Sequence, residues 1–543
     1  MKLGIDFGTT RIIVAFVDRG NYPVVSFAAP DGSARDWFPP LVAVKDERRV
    51  YGWEAWAAQE EPGWTVVRSL KRALEGAGPQ SLVQISTQTV PMLQLLGELC
   101  SALRTNLLEH SNLPSVEANH LDVMLGVPAN ANGNQRFLTA EAFRQAGFQV
   151  MGLLNEPSAA SIEFGHRDRT SRPKDAKGHI LVYDLGGGTF DASLVEFDES
   201  EQHVIASEGI SALGGDDFDE ILAELALDSA GITAADRDSL TQAEIFRLHE
   251  ECRGQKESLH PNSRHISVDL GAVRDGWPQV SISVADFYAR SHTLVRETLH
   301  ATEDLLEVHG FGISGFLEAA RDRQHLDALY VTGGGSELPI VARTLREVFG
   351  RRVKRSAYTR SATAIGLAIQ ADAQAGYVVR DRFTRHFGVW READGGQSVV
   401  FDPIFSKGTP LPAAGEPALI QSRQYTPVHN IGHFRYLECS HLDELFLVNE
   451  VGRPAGDITV WDDIRFAFDP ALRDIADLSH VPVEHVGASL AQQAEESYSC
   501  DAGGTVKVTI ANLSAGYSRS YRLAAWASHD TRIVPGRKKK RTR

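Results

Sequence analysis

Gly4-Ile-Asp6-Phe-Gly8-Thr9-Thr10 stands near the N-terminus, and Val182-Tyr-Asp184-Leu-Gly186-Gly187-Gly188-Thr189-Phe-Asp191 stands far along the chain. Both are an apolar run ending in aspartate, a Gly/Thr turn and a second apolar run, Ile12 to Phe16 in one case and Ala192 to Val195 in the other. Such a hairpin bares backbone N–H groups where only glycine lets a phosphate come close, with threonine hydroxyls beside it. One copy alone is as well explained by a structural turn. Two copies, each with Asp before and Thr after the glycines, point to a duplicated core. A third glycine cluster, Gly333-Gly334-Gly335-Ser336, leaves the strand-like run Ala328 to Thr332, and Pro339 then opens a helical pattern. A strand-to-helix turn of this kind holds phosphate or ribose against N–H groups, or is simply a tight crossover.

Around these motifs the first 375 residues alternate strand-like runs with helical ones. Leu121 to Val127 and Ile180 to Asp184 read as strands. Leu93–Glu109, Asn134–Ala146, Phe218–Ser229, Thr241–Leu259, Val284–Glu307 and Leu338–Phe349 return apolar residues at three- and four-residue spacing. That alternation predicts an α/β architecture with covered sheets. After Gly376 prolines and glycines recur between short runs such as Ser398–Phe401, His433–Cys439, Ile464–Phe468, Val506–Ile510 and Tyr521–Trp526. This predicts a small antiparallel β domain with one helical stretch, near Ala488 to Glu496.

The chain has 543 residues with 55 basic and 71 acidic side chains, a net charge of −16. That balance argues against a nucleic-acid or anionic-membrane binder. The four cysteines (Cys100, Cys252, Cys439, Cys500) form no CxxC pair, so neither a zinc knuckle nor a disulfide framework is expected. No apolar run of membrane-spanning length and no leader-like start is present, so the expectation is a soluble, cytoplasmic, monomeric protein. The basic end at residues 536–543 reads as a solvated tail. Trp53, Trp56 and Trp64 read as core or lobe-edge packing rather than a ligand platform.

The three glycine motifs in this order resemble those of the seventy-kilodalton heat-shock chaperones, the DnaK family. Val50-Tyr-Gly52 followed by Val66 to Leu74 with Lys71 is similar to the family's lysine-bearing segment. Gly126-Val-Pro128 with Arg136, then Asn155-Glu156-Pro157-Ser158, is similar to its interlobe connection. Leu213-Gly214-Gly215-Asp-Asp-Phe-Asp219, the segment around Lys256, and Ala362 to Gly366 complete a likeness over nearly all of residues 1–375. The resemblance implies an actin-like two-lobed ATPase domain built on a duplicated ribonuclease-H-like core (1–375). A linker (376–383), a β-sandwich-like substrate domain (384–530) and a basic tail (531–543) follow.

It also implies ATP or ADP and Mg2+ as cofactors, with slow hydrolysis controlling a grip on unfolded or extended polypeptide clients. A co-chaperone or exchange partner would attend it. Lys71, Glu156, Asp184, Thr189 and Asp191 are the implied catalytic residues. Asp6 and Asp184 are the implied holders of magnesium, through water. Gly8, Thr9, Thr10, Arg11, Gly186, Gly187, Gly188, Gly214, Gly215, Lys256, Gly333, Gly334, Gly335, Ser336 and Gly366 are the implied nucleotide contacts. Pro128 and Arg136 are the implied relay between nucleotide and β domain. The chemistry agrees: four carboxylates meeting a polyphosphate cost on the order of 4 kcal/mol per close pair, so a divalent cation is required.

The departures lie on the base side. Glu337 stands where the family usually has Arg, Glu257 follows the matched lysine, and Arg360-Ser361 occupy the place of an acidic residue. No helical lid is recognisable after the β domain, and Tyr377, Val378 and Val379 either dock as a strand or merely connect. Two other readings remain at this level: a nucleotide-dependent scaffold or adaptor, and a small-molecule kinase of the same superfold.

Overall fold

The computed structural model describes residues 1–59, 61–78, 81–114, 120–168, 178–198, 201–311, 325–393, 397–413, 415–448, 451–461, 463–486 and 491–522. The basic end of the chain and Trp526 therefore lie outside the described residues, as does the start of the expected C-terminal helix.

The chain is mixed α/β with several sheets. A four-stranded sheet runs in the order Gln149–Asn155, Asp122–Val127, Lys2–Phe7, Ile12–Phe16. A six-stranded sheet runs Val353–Arg355, Ala328–Thr332, Gly178–Leu185, Phe190–Asp198, Glu201–Ile210, Val378–Arg380. The two share a local plan. Lys2–Phe7 pairs antiparallel with the strand after its Gly/Thr turn, Asp6 opposite Ile13, and parallel with Asp122–Val127. Gly178–Leu185 pairs antiparallel with the strand after its turn, Asp184 opposite Asp191, and parallel with Ala328–Thr332. Every residue of Ile12–Phe16 and Ala328–Thr332 is buried, as expected for strands covered on both faces.

Separate apolar cores lie behind the two sheets. One is built on Leu3, Ile5, Val14, Leu99 and Leu125, the other on Leu181, Leu194, Phe218, Phe287 and Leu329. The six expected helices form close to their expected bounds, and Thr241 caps Gln242–Glu257 with a reciprocal bond to Glu244. The helix Ala362–Ala371, nearly all buried, packs on Lys2–Phe7 and on Glu156–Asp168. Its small residues permit that approach, because a Cβ at Gly366 would collide with the Ala159 carbonyl. Trp53 and Trp56 pack with Trp37, at ring centroids 5.0 and 5.6 Å from it, and Trp64 is buried in a neighbouring cluster.

Beyond residue 385 the strands are antiparallel. Ser398–Phe405, His386–Ala393, Ile431–Val448 and Val451–Val460 form one sheet, with Ile464–Ala467 pairing onto Ile431–Phe434. Leu419–Tyr425, Ala494–Cys500, Val506–Asn512 and Tyr517–Arg522 form another. Phe387, Tyr436, Trp461, Phe466 and Tyr498 fill the space between them. The described part of the expected helix is corrected here: Ala494–Glu496 lies in a strand whose buried positions alternate, Ala494, Glu496, Tyr498, Cys500. Burying Glu496 hides the two-residue period from the sequence.

Between the two regions Val378–Arg380 adds to the six-stranded sheet, parallel to Glu201–His203. Asp381 beside it accepts from Ser158 Oγ at 2.6 Å, and Arg382 donates to the Val204 carbonyl at 2.7 Å. All four cysteines are buried free thiols. Among the described residues no helix is long and apolar enough to cross a membrane.

Candidate functional site

One cleft gathers the three glycine motifs. Asp6, Gly8, Thr9, Thr10 and Arg11 line one wall, Asp184, Gly186, Gly187 and Thr189 the facing one, and Gly333, Gly334 and Gly335 the end. Lys71, Glu156, Gly215 and Lys256 line it as well. The two hairpin turns nearly touch: a Cβ on Gly187 would lie 2.6 Å from Thr10 Cγ2, and one on Gly188 would strike Thr9. Glycine at both positions is therefore what lets the turns face each other closely enough to share one ligand.

The remaining expected contacts sit behind this surface. Gly188 and Gly214 pack on one another, a Cβ on Gly214 falling 2.6 Å from the Gly188 nitrogen. Ser336 is buried and donates to the Gly333 carbonyl at 2.6 Å. Gly366 packs against the helix Glu156–Asp168 and does not line the cleft.

Three carboxylates, Asp6, Glu156 and Asp184, and the Lys71 ammonium line the floor, and the buried Asp191 interacts with this group without lining the cleft. Lys71 sits on the short helix Leu70–Ala73 and is buried; its ammonium donates to Glu156, the first residue of Glu156–Asp168. A helix N-terminus is a favourable place for a carboxylate. Burial pulls the Lys71 ammonium down, but Glu156, Asp6 and Asp191 outweigh it and hold the group charged. Asp191 Oδ1 accepts from the Ala129 N–H at 3.0 Å. The Asp6 carboxyl is pushed up to about 7 by burial and by Glu156. Asp191 is likewise pushed up to about 7 by burial and Glu156, and Asp184 is driven well above the carboxylate range by burial and by Glu156, Asp6 and Asp191.

A pH dependence follows. The folded protein holds protons on Asp6, Asp184 and Asp191 that the unfolded chain releases near pH 4. Stability from Asp6 and Asp191 is present below that pH and is lost as pH rises through about 7. For Asp191, 3% exposed, the effect is on the order of a few kcal/mol. In chelator the melting temperature is expected to fall between pH 5 and 8, and a divalent cation with a polyphosphate ligand is expected to flatten that slope. A profile that rises across the window without metal sinks this account of the floor.

Ion pairs that sequence reasoning missed cluster on the Asp216–Asp219 segment beside the cleft. Arg68 reaches Asp216 at 2.8 Å and Asp219 at 3.4 Å, and Arg72 pairs with Asp217 while donating to the Gly188 carbonyl at 3.0 Å. Arg253 meets Asp216 at 3.3 Å, and Lys256 meets Asp219 at 2.6 Å. Burial alone would raise Asp216, but Arg68, Arg253 and Arg72 hold it far below the carboxylate range. Partners so far apart in sequence leave no local pattern. Only the Asp-rich Gly214-to-Asp219 segment and its basic counterparts at Arg68 and Arg72 were there to be matched.

Arg11 lines the cleft with Thr10. Its guanidinium crosses the cleft to Glu257 Oε2 at 2.6 Å and lies over Trp37 at 5.3 Å. Arg360 donates to the same Glu257 oxygen at 3.1 Å and to Glu337 at 2.8 Å.

Pro128 ends the strand whose next residue, Ala129, ties to Asp191. Arg136, buried, donates to Asn155 Oδ1 at 2.6 Å and to the Gly503 carbonyl at 3.1 Å, and the Gly133 N–H donates to Glu438 at 3.1 Å. The helix Gly133–Gln145 and the β region are thus in direct contact.

The Hsp70 protein family model matches residues 100–384. The chain is 32% identical over 395 residues to the chaperone protein HscA of Klebsiella pneumoniae (strain 342), covering 69% of this chain and 58% of that protein. It is 32% identical over 393 residues to HscA of Serratia proteamaculans (strain 568), with the same coverage. It is 29% identical over 394 residues to the HscA homolog of Colwellia psychrerythraea (strain 34H / ATCC BAA-681), covering 69% and 59%. The chain thus spans somewhat less than two thirds of the length of these relatives.

Proposed function

The chain belongs to the Hsp70 family, and from that premise we propose that it is a DnaK-type chaperone: an actin-like, two-lobed ATPase whose slow hydrolysis controls the binding and release of unfolded or extended polypeptide. The observation that carries this reading is the pair of Gly/Thr turns facing each other across a cleft lined by Asp6, Glu156 and Asp184 with Lys71 as its cation, Asp191 acting on Lys71 from its buried place outside that lining. Such an arrangement suits a triphosphate tail with magnesium.

The donor set fits the metal. Three buried carboxyls, Asp6 and Asp191 pushed up to about 7 and Asp184 driven well above the carboxylate range, are short of positive charge, and a divalent cation would supply it. Asp6 and Asp184 would hold the ion through its waters. Bound there, magnesium would neutralise charge on the phosphates. Thr10 and Thr189 would donate to phosphate oxygens, and Lys71 would stabilise charge at the γ-phosphate. Glu156 and Asp191 would orient the attacking water and take its proton. Asp191, tied to Ala129 beside Pro128, would pass nucleotide state toward Arg136 and Gly503. The docked strand Val378–Arg380 gives the β region a second attachment on the ATPase side. A co-chaperone or exchange partner, a cytoplasmic location and a monomeric state complete the reading.

A second reading has one specific observation in its favour. The space between the two β sheets is filled by Phe387, Tyr436, Trp461 and Tyr498 and by the buried Glu496 paired with a half-buried Arg391, which leaves the outer surface for partners. On that reading the protein is a nucleotide-dependent adaptor. Full-length protein is expected to hydrolyse ATP slowly and only with magnesium, and fluorescence anisotropy is expected to show an extended apolar peptide bound and leaving faster on addition of ATP. Turnover unaffected by excess chelator removes the ATPase mechanism. Magnesium-dependent turnover without peptide binding selects the adaptor.

A further inference from the structure

Four alternating charges form a row of ion pairs, Arg11, Glu257, Arg360 and Glu337, the first three of which line the cleft. They come from the first hairpin, the end of helix Gln242–Glu257, the turn before Ala362–Ala371 and the third glycine turn. Their geometry separates the two arginines. Arg11 has one face covered by Trp37 and its edge spent on Glu257. Arg360 is gripped only along its edges, Nε and Nη2 by Glu337 and Nη1 by Glu257. In-plane ion pairs use the N–H fork and leave the flat faces of a guanidinium free. Among the described residues no aromatic ring lies on Arg360, and its side chain is 30% exposed where it lines the cleft beside Gly334, Thr359 and Thr363.

The geometry points to Arg360 as the residue on which the nucleotide base stacks, with Glu257 and Glu337 as positioning residues that hold its plane and Arg11 closing the same end from across the cleft. This rests on the nucleotide reading above and adds the group that determines base affinity. It explains why carboxylates at 257 and 337 are compatible with a base site: they face the arginine, not the base. A planar cation against a π-system is a favourable contact, and it demands the flat group rather than the charge alone.

Calorimetric titration of the full chain with magnesium–ATP and with magnesium–tripolyphosphate, which has no base, tests this. Arg360→Ala is expected to weaken ATP binding roughly tenfold and to leave tripolyphosphate binding unchanged. Arg360→Lys, which keeps the charge and loses the plane, is expected to lose a comparable part of the ATP affinity. An Arg360→Ala protein that binds ATP within about twofold of wild type, or that loses both ligands equally, overturns the assignment. Wild-type protein that binds neither ligand overturns the nucleotide reading itself, a result distinct from either of those.

Discussion

Asp184→Asn is expected to lower magnesium-dependent ATP turnover by about 10²–10³-fold and, in the same protein, to raise the melting temperature of the metal-free form at pH 8. The two effects have one cause. Asp184 is desolvated and faces Glu156, Asp6 and Asp191, so its charge is unfavourable until a cation arrives. Asparagine keeps the shape and removes the charge. The apo protein is relieved of a repulsion, while the proposed holder of the ion's waters is lost. Phosphate release and thermal melts at pH 8, in chelator and in magnesium, measure both. Turnover within threefold of wild type would remove Asp184 from the proposed mechanism. A melting temperature that falls in chelator would show that its carboxylate is satisfied by neighbours other than those described.

Arg391→Leu is expected to destabilise the β region by about 3–5 kcal/mol, the largest stability change foreseen for a single side chain here. Arg391 grips Glu496 with both terminal nitrogens, at 3.1 and 2.8 Å, and Asp402 with Nε at 2.6 Å. The Glu496 side chain has no exposed surface. Removing the guanidinium leaves that carboxylate desolvated among tyrosines without a counter-charge. The double variant Arg391→Leu/Glu496→Leu is expected to recover much of the loss, since an apolar pair of similar volume often replaces a buried ion pair without penalty. Denaturant titration followed by tryptophan fluorescence gives both values, Trp461 lying in the same core. A loss below about 1 kcal/mol for the single variant would mean that water reaches Glu496.

What the sequence disclosed and what it withheld divide along a physical line. The hairpins around Asp6 and Asp184 were legible because glycine, threonine and aspartate must sit next to one another there to make the turn. The long helices were legible because their apolar spacing is local. Lys71 was not legible alone; it is one lysine among many until Glu156, 85 residues on, comes to face it. The struts from Arg68, Arg72 and Arg253 to the Asp216–Asp219 segment are contacts between distant parts of the chain, so no window of sequence contains them. Gly366 and Gly214 come to notice only through the family resemblance, and the close backbone packing that each permits, on Ala159 and on Gly187 and Gly188, is a contact between distant segments that no local pattern announces. Ala494–Glu496 was misread as helix because a carboxylate occupies a core position of a strand, breaking the polar–apolar alternation that betrays β structure.

The docked segment Val378–Arg380 gives the six-stranded sheet a removable border. Its backbone groups cover Glu201–His203, which would otherwise be a bare sheet margin able to recruit any extended chain. Whatever competes for that margin must first evict the protein's own connector, and eviction also strips Asp381 from Ser158 and Arg382 from Val204. The seam therefore works as a self-occupied socket: the same few residues that tether the two halves also keep strangers out.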